Sequence, residues 1–248
     1  MPTPYAFSLP REGSGPEEYE DAFKVDVSEL RFAIADGATE SAYSKLWAQL
    51  LVDEWVRSPP VTFQRCNRAP KKERIWNAWL RPLQRRWCAQ VDRPNLPWYA
   101  ERSIRRGAFA AFLGVYLSGK KWYAVAVGDA CLFHVRNDQL VKAFPLTHSK
   151  DFSNSPALVA SRPNSPCNHR FPLEESGSCQ EGDLLFLMTD AVAAWFLAKV
   201  EGGFCPWRDF SEVLHCHNPE QTFANMIGEA RRNREMRNDD VTVVVVEF

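Results

Sequence analysis

The sequence predicts an α+β fold built on antiparallel strands, and three observations carry that expectation. Short apolar, β-rich runs recur along the chain, from "FAIA" at Phe32–Ala35 to "VTVVVV" at Val241–Val246. Several of them follow one another across brief polar breaks such as Ser118-Gly119 and Asn137-Asp138. Between these groups lie stretches whose apolar residues recur at helical rather than strand spacing.

Taken in order, the first strand falls in "DAFKVDVS", where Ala22 or Phe23, Val25 and Val27 approximate strand alternation. A short connection leads to Leu30–Ala35, so the two strands are expected to pair as a hairpin. Thr39 or Ser41 can cap the helix that follows. That helix carries Tyr43, Leu46, Trp47, Leu50, Leu51 and Trp55 on one stripe and is ended by Pro59-Pro60. Residues 58–100 read as an insertion with a helix from Lys71 to Trp87, which Pro82 can kink or divide. From Gly107, "AFAAFLGVYL", "KWYAVAVGD", "ACLFHVRND" and "QLVKAF" are expected to form a meander. Residues 147–180 are polar and proline-rich and read as irregular. Leu184–Met188 is a fully apolar strand running through Asp190 into a helix. A further amphipathic helix spans Pro219 to Arg234, and Asp239-Asp240 opens the last strand.

Composition narrows the class. Of 248 residues, 45% are hydrophobic and 25% charged, with nine tryptophans and sixteen phenylalanines, which suffices for a substantial core and excludes a disordered or fibrous chain. No apolar run approaches the roughly 20 residues that span a bilayer, and the N-terminus lacks a secretory pattern. The seven cysteines are scattered and never spaced C-x-x-C, which fits reduced thiols and a cytoplasmic location. "HCH" at His215–His217 lacks the second pair a zinc site needs. Net charge is −1, but residues 65–106 hold twelve basic and three acidic residues, a local +9. Trp76, Trp79 and Trp87 at near-helical spacing make this segment read as a helix with a solvated basic face. No recognisable nucleic-acid module surrounds it.

The chemistry is suggested by acids at strand ends. Asp36 leaves one apolar strand, Asp190 leaves another, and Asp239 precedes a third, while Glu20-Asp21 opens the first. Taken singly, each has a structural explanation: Asp36-Gly37 is turn chemistry, and an aspartate before a helix can cap it. If the first hairpin brings Glu20-Asp21 beside Asp36, several carboxylates crowd one rim. Repulsion and desolvation then demand a neutralising partner. Arg237 is the one arginine beside these acids in sequence, and hard divalent cations such as magnesium or manganese are the alternative.

Five motifs in order, "EDAF", "FAIADGATES", "AVGDACLFHVRND", "GDLLFLMTDA" and "NDDVTVVVV", resemble the metal-dependent serine/threonine phosphatases of type 2C. The "DGATES" form resembles a bacterial branch of that family. The resemblance implies a four-layer αββα sandwich of two antiparallel sheets flanked by helices. It also implies one phosphatase domain over residues 1–248, leaving the basic insertion at about 58–100 unmatched. It implies two divalent cations, Mn2+ or Mg2+, held by Glu20, Asp36, the Gly37 carbonyl, Asp190 and Asp239, with Asp36 bridging both. Asp21 and Asp240 would support these ligands, and Asp129 would serve a third metal. The implied reaction is hydrolysis of protein phosphoserine or phosphothreonine by metal-activated water, opposite a Ser/Thr kinase.

Departures from the family pattern also matter. Pro16 stands where the phosphate-clamping arginine is usual, so Arg11 becomes the candidate clamp. Ala38 replaces a histidine after the "DG" pair, and Ala194 replaces the third metal's partner acid. The alternative is therefore a catalytically weak or inactive relative that binds metal or phosphopeptides as a regulatory module.

Overall fold

The computed structural model describes residues 2–39, 41, 43–60, 69–92, 103–153, 155–163 and 172–248. It has an α+β architecture of two antiparallel sheets with flanking helices, divided between two compact units. Unit 1 comprises Met1–Tyr19, Asp129–Pro156 and Cys179–Phe248; unit 2 comprises Glu20–Gly128 and Ala157–Ser178.

Unit 2 is built on β2 (Ala22–Asp26), β3 (Arg31–Gly37), β4 (Phe109–Ser118), β5 (Lys121–Val127) and β9 (Leu173–Ser178), adjacent in that order, with the short β8 (Val159–Ala160) beside β4. The expected hairpin is present, with Ala22 opposite Ala35 and Asp26 opposite Arg31. Helix α1 (Ser44–Arg57) lays Trp47, Leu51 and Trp55 on β3 and β4. Trp55 fills the place a side chain would take at Gly114, where an added Cβ would lie 2.3 Å from the indole ring. Its Nε1 donates to the Val115 carbonyl at 3.2 Å. Gly114→Ala is therefore expected to cost about 1–3 kcal/mol through overpacking, read as a lower urea midpoint with unchanged slope.

Neither Thr39 nor Ser41 caps α1. Its N-cap is Tyr43 in left-handed conformation, with no side-chain cap bond. Ser41 instead donates to the Ala38 carbonyl at 2.7 Å and accepts from the Phe109 N–H at 3.2 Å, tying the loop to β4. Helix α2 (Ala69–Val91) runs through Pro82 without division. Trp76, Trp79, Leu83 and Trp87 are buried in the unit 2 core, with Trp76 and Trp79 ring centroids 4.9 Å apart. Arg74, Arg81, Pro82 and Arg85 are exposed, so the basic residues do form the outer face. The rest of the expected insertion, residues 61–68 and 93–100, lies outside the described residues.

Unit 1 orders β1 (Thr3–Leu9), β11 (Val241–Glu247), β10 (Leu184–Met188), β6 (Cys131–Arg136) and β7 (Gln139–Phe144). Helices α3 (Asp190–Glu201), α4 (Pro206–His215) and α5 (Pro219–Arg232) belong to the same unit, whose core joins Phe133, Phe186, Phe196, Phe210 and Phe223. Phe133 and Phe196 stack at 4.5 Å. The expected four-strand meander is not formed. β4 and β5 pair in one sheet, β6 and β7 in the other, and the chain changes sheet at Gly128-Asp129. Gly128 makes this turn at φ +96°, where a Cβ would stand 2.7 Å from the Ala157 carbonyl oxygen.

Three strands lie where none was expected, one of them the two-residue β8 within the section read as irregular. β1 precedes the first anticipated element and pairs with β11, burying only Phe7. β9 arises within the section read as irregular and pairs with β5. Of that section, residues 154 and 164–171 lie outside the described residues. β9 is a largely polar sequence held at a sheet margin by the backbone ladder, whereas β1 also turns Tyr5, Phe7 and Leu9 toward the unit 1 core.

Candidate functional site

In unit 1 the acids converge because three neighbouring strands end together. Met188 pairs with Val243 on β11 and with Cys131 on β6. Continuing both registers by two residues carries Asp190 to the start of β11 and opposite Asp129. Thr189 locks this end: its N–H donates to the Thr242 carbonyl at 3.1 Å, and its Oγ1 accepts from the Thr242 N–H at 2.9 Å. Asp190 is the first residue of α3 rather than its cap, which is Thr189.

Arg237 joins two of these carboxylates. One terminal nitrogen contacts Asp190 Oδ2 and also lies 2.9 Å from Asp239 Oδ2. Asp190 Oδ1 is buried and has no hydrogen-bond partner among the described residues. Burial pushes the Asp190 carboxyl above its ordinary range; Arg237 opposes this and the Asp239 charge adds to it. Asp129, 4% exposed, is pushed up to about 7, by burial first and then by the charge of Asp190. A single guanidinium under-neutralises the three acids.

The loop that carries Asp239 is held independently of Arg237. Buried Arg231 donates to the Asp239 carbonyl at 2.5 Å and to the Pro10 carbonyl at 3.1 Å. Asn238 exchanges two hydrogen bonds with the Glu12 backbone, and Asp240 accepts from the Arg11 N–H at 2.9 Å. The Arg11 side chain itself donates to Ser14 Oγ at 2.9 Å.

In unit 2 the hairpin register sets Glu20-Asp21 at the same sheet end as Asp36-Gly37. Asp21 is buried, and Ser44, the first residue of α1, donates to Glu20 Oε1. A Cβ on Gly37 would lie 2.8 Å from the Glu20 carbonyl oxygen and 3.0 Å from Ser44. The glycine is thus required by close passage of the chain within the unit, whatever ligand its carbonyl serves.

The structure therefore assembles Asp129, Asp190 and Asp239 in unit 1 and Glu20, Asp21 and Asp36 in unit 2. No group of three or more His, Cys, Asp or Glu side chains is arranged to hold a metal ion among the described residues. His215 Nδ1 lies 2.8 Å from the Ser211 carbonyl, and Cys216 turns back to Val213 and Thr222. Sequence reasoning missed Ser44 and Arg231, whose only signal was position in the first and last turn of an amphipathic helix.

Two antiparallel sheets with flanking helices match the fold of solved serine/threonine phosphatases. The catalytic domain of the phosphatase PstP in complex with two manganese ions is 15% identical, with a TM-score of 0.62 over 99% of this chain and 97% of that one. PstP/Ppp from Mycobacterium tuberculosis is 16% identical, with a TM-score of 0.60 over 100% and 98%. PppA, a regulatory component of T6SS in Pseudomonas aeruginosa, is 17% identical, with a TM-score of 0.61 over 100% and 97%. At these identities the likeness is one of fold. Among curated proteins nothing matches the chain. The profile described as protein phosphatase 2C matches residues 17–231, and the chain belongs to that family.

Proposed function

We propose that this chain is a divalent-metal-dependent phosphatase acting on phosphoserine or phosphothreonine in proteins, of the bacterial "DGATES" branch. In this reading residues 1–248 work as one phosphatase domain in the cytoplasm, opposite a Ser/Thr kinase, and 58–100 are its basic insertion. The observation that carries the reading is the uncompensated charge at the end of the unit 1 sheet. Asp190 leaves one buried oxygen without a partner among the described residues, and burial together with the charges of Asp190 and Asp239 pushes Asp129 up to about 7. Oxygen-only donors of this kind suit a hard cation.

Asp190 and Asp239 of unit 1, and Glu20, Asp36 and the Gly37 carbonyl of unit 2, are the proposed ligands for two ions, Mn2+ or Mg2+. Buried Asp21 and Asp240, which accepts from the Arg11 N–H, are proposed to support these ligands, and Asp129 is the candidate for a third ion. When bound, the ions would supply Lewis-acid stabilisation of phosphoryl charge and a nucleophilic water near neutral pH. Among the chain's own groups, Thr189 and Arg231 fix the two acid-bearing loops of unit 1, and Ser44 fixes the Glu20 carboxylate. Arg11 is the candidate phosphate clamp in place of the arginine lost at Pro16. The described residues include no helix long and apolar enough to cross a membrane.

Hydrolysis of p-nitrophenyl phosphate and of a phosphothreonine peptide is expected with manganese, and its abolition with excess EDTA. A purified chain that binds manganese yet turns over neither substrate would instead establish the second reading, a non-catalytic binding module. That reading is favoured by the pairing of Arg237 with Asp190 and Asp239.

A further inference from the structure

We propose that Arg237 is a built-in counter-cation that competes with the first divalent ion for Asp190 and Asp239, so that metal uptake requires displacement of its guanidinium. This rests on the reading of those two aspartates as metal ligands. The geometry is specific: one terminal nitrogen reaches Oδ2 of both carboxylates, the same pair to which the first metal is assigned. The side chain is 52% exposed, whereas Asp190 is 14% exposed, so the arginine can swing into water while the acids stay in place.

Charge decides what each occupant achieves. The guanidinium brings one positive charge and leaves Asp190 Oδ1 without a partner among the described residues. A divalent ion brings twice the charge and can engage oxygens that a planar donor aimed at the Oδ2 pair does not reach. The arginine is therefore strong enough to hold the acids together without metal, yet is the weaker of the two occupants. Because Arg231, Asn238 and Asp240 anchor the loop separately, removing Arg237 leaves the ligands positioned. The consequence is a threshold: the site fills only when the free metal concentration exceeds what the internal cation demands.

The test is isothermal titration of Mn2+ into metal-free wild type, Arg237→Ala and Arg237→Lys, with thermal melts in EDTA and in saturating Mn2+. Arg237→Ala is expected to bind the first ion about tenfold more tightly, a difference of ~1.4 kcal/mol. Its melting temperature in EDTA should fall below that of wild type, and its rise on adding Mn2+ should be larger. Arg237→Lys, which keeps the charge but not the fork, should lie between. Equal or weaker binding by folded Arg237→Ala, with wild type binding normally, overturns the counter-cation proposal and leaves the phosphatase reading standing. Failure of all three proteins to bind Mn2+ overturns both.

Discussion

Asp36→Asn is expected to lower manganese-dependent hydrolysis of p-nitrophenyl phosphate at least about 100-fold, a loss of roughly 2.7 kcal/mol in transition-state stabilisation. Asparagine matches aspartate in shape, so the β3–β4 ladder, in which Asp36 stands opposite Ala111, has no reason to change. What is removed is one negative charge at a sheet end where Glu20 and Asp21 also stand. The matched control is Asp26→Asn at the opposite end of the same hairpin. Asp26 accepts from Ser28 Oγ at 2.6 Å and from the Glu29 N–H at 3.0 Å, which is turn chemistry alone. Its variant should keep the wild-type rate. Equal rates for wild type and Asp36→Asn would remove Asp36 from the chemistry.

The largest expected effect on stability is Asp183→Ala, about 3–5 kcal/mol. Asp183 is fully buried and accepts four hydrogen bonds. Arg136 donates through Nε at 2.8 Å and a terminal nitrogen at 2.6 Å, His134 through Nε2 at 2.9 Å, and the Gln180 N–H at 2.9 Å. Deleting the carboxylate strands an imidazole that is itself buried, together with a guanidinium placed to meet it. Equilibrium urea unfolding reads this as a lower midpoint, and a loss under about 1 kcal/mol would contradict the assigned role.

The same cluster makes the fold acid-sensitive. Burial alone would raise the Asp183 carboxyl, but Arg136, the Gln180 N–H and His134 together hold it below its ordinary range. Burial lowers the His134 imidazole, with Asp183 partly restoring it. Both folded values lie below their unfolded ones, so both contributions are present at neutral pH and are lost on acidification. The histidine's loss begins as pH falls below about 6.5, and the aspartate's below about 3.9. His134→Gln should abolish the first window and leave the second, as followed by urea midpoints between pH 7 and pH 3.

How much of this was legible beforehand depends on what holds each piece. The β2–β3 hairpin, the apolar β10 and β11, and the buried tryptophan stripes of α1 and α2 could be read because their apolar residues repeat with the period of the element. β9 could not, because its side chains are largely solvent-facing and what defines it is the ladder of β5; in β1 the alternation of Tyr5, Phe7 and Leu9 toward the core was present but went unread. The supposed meander failed for a related reason. Strand order within a meander is a local habit, and a left-handed Gly128 suffices to send the chain into another sheet.

For the site, strand-end position alone marked Asp36, Asp190 and Asp239, and adjacency in sequence marked Arg237. The amino-acid sequence by itself thus determined the family, the strand and helix types with strong periodicity, and which acids stand at strand ends. Only the tertiary structure decided that Arg237 reaches two of those acids at once, that Arg231 and Ser44 brace their neighbours, and that Gly37 is needed for chain passage. Those facts depend on which residues, tens or hundreds of positions apart, are set side by side by antiparallel register, and periodicity carries no information about partners so distant.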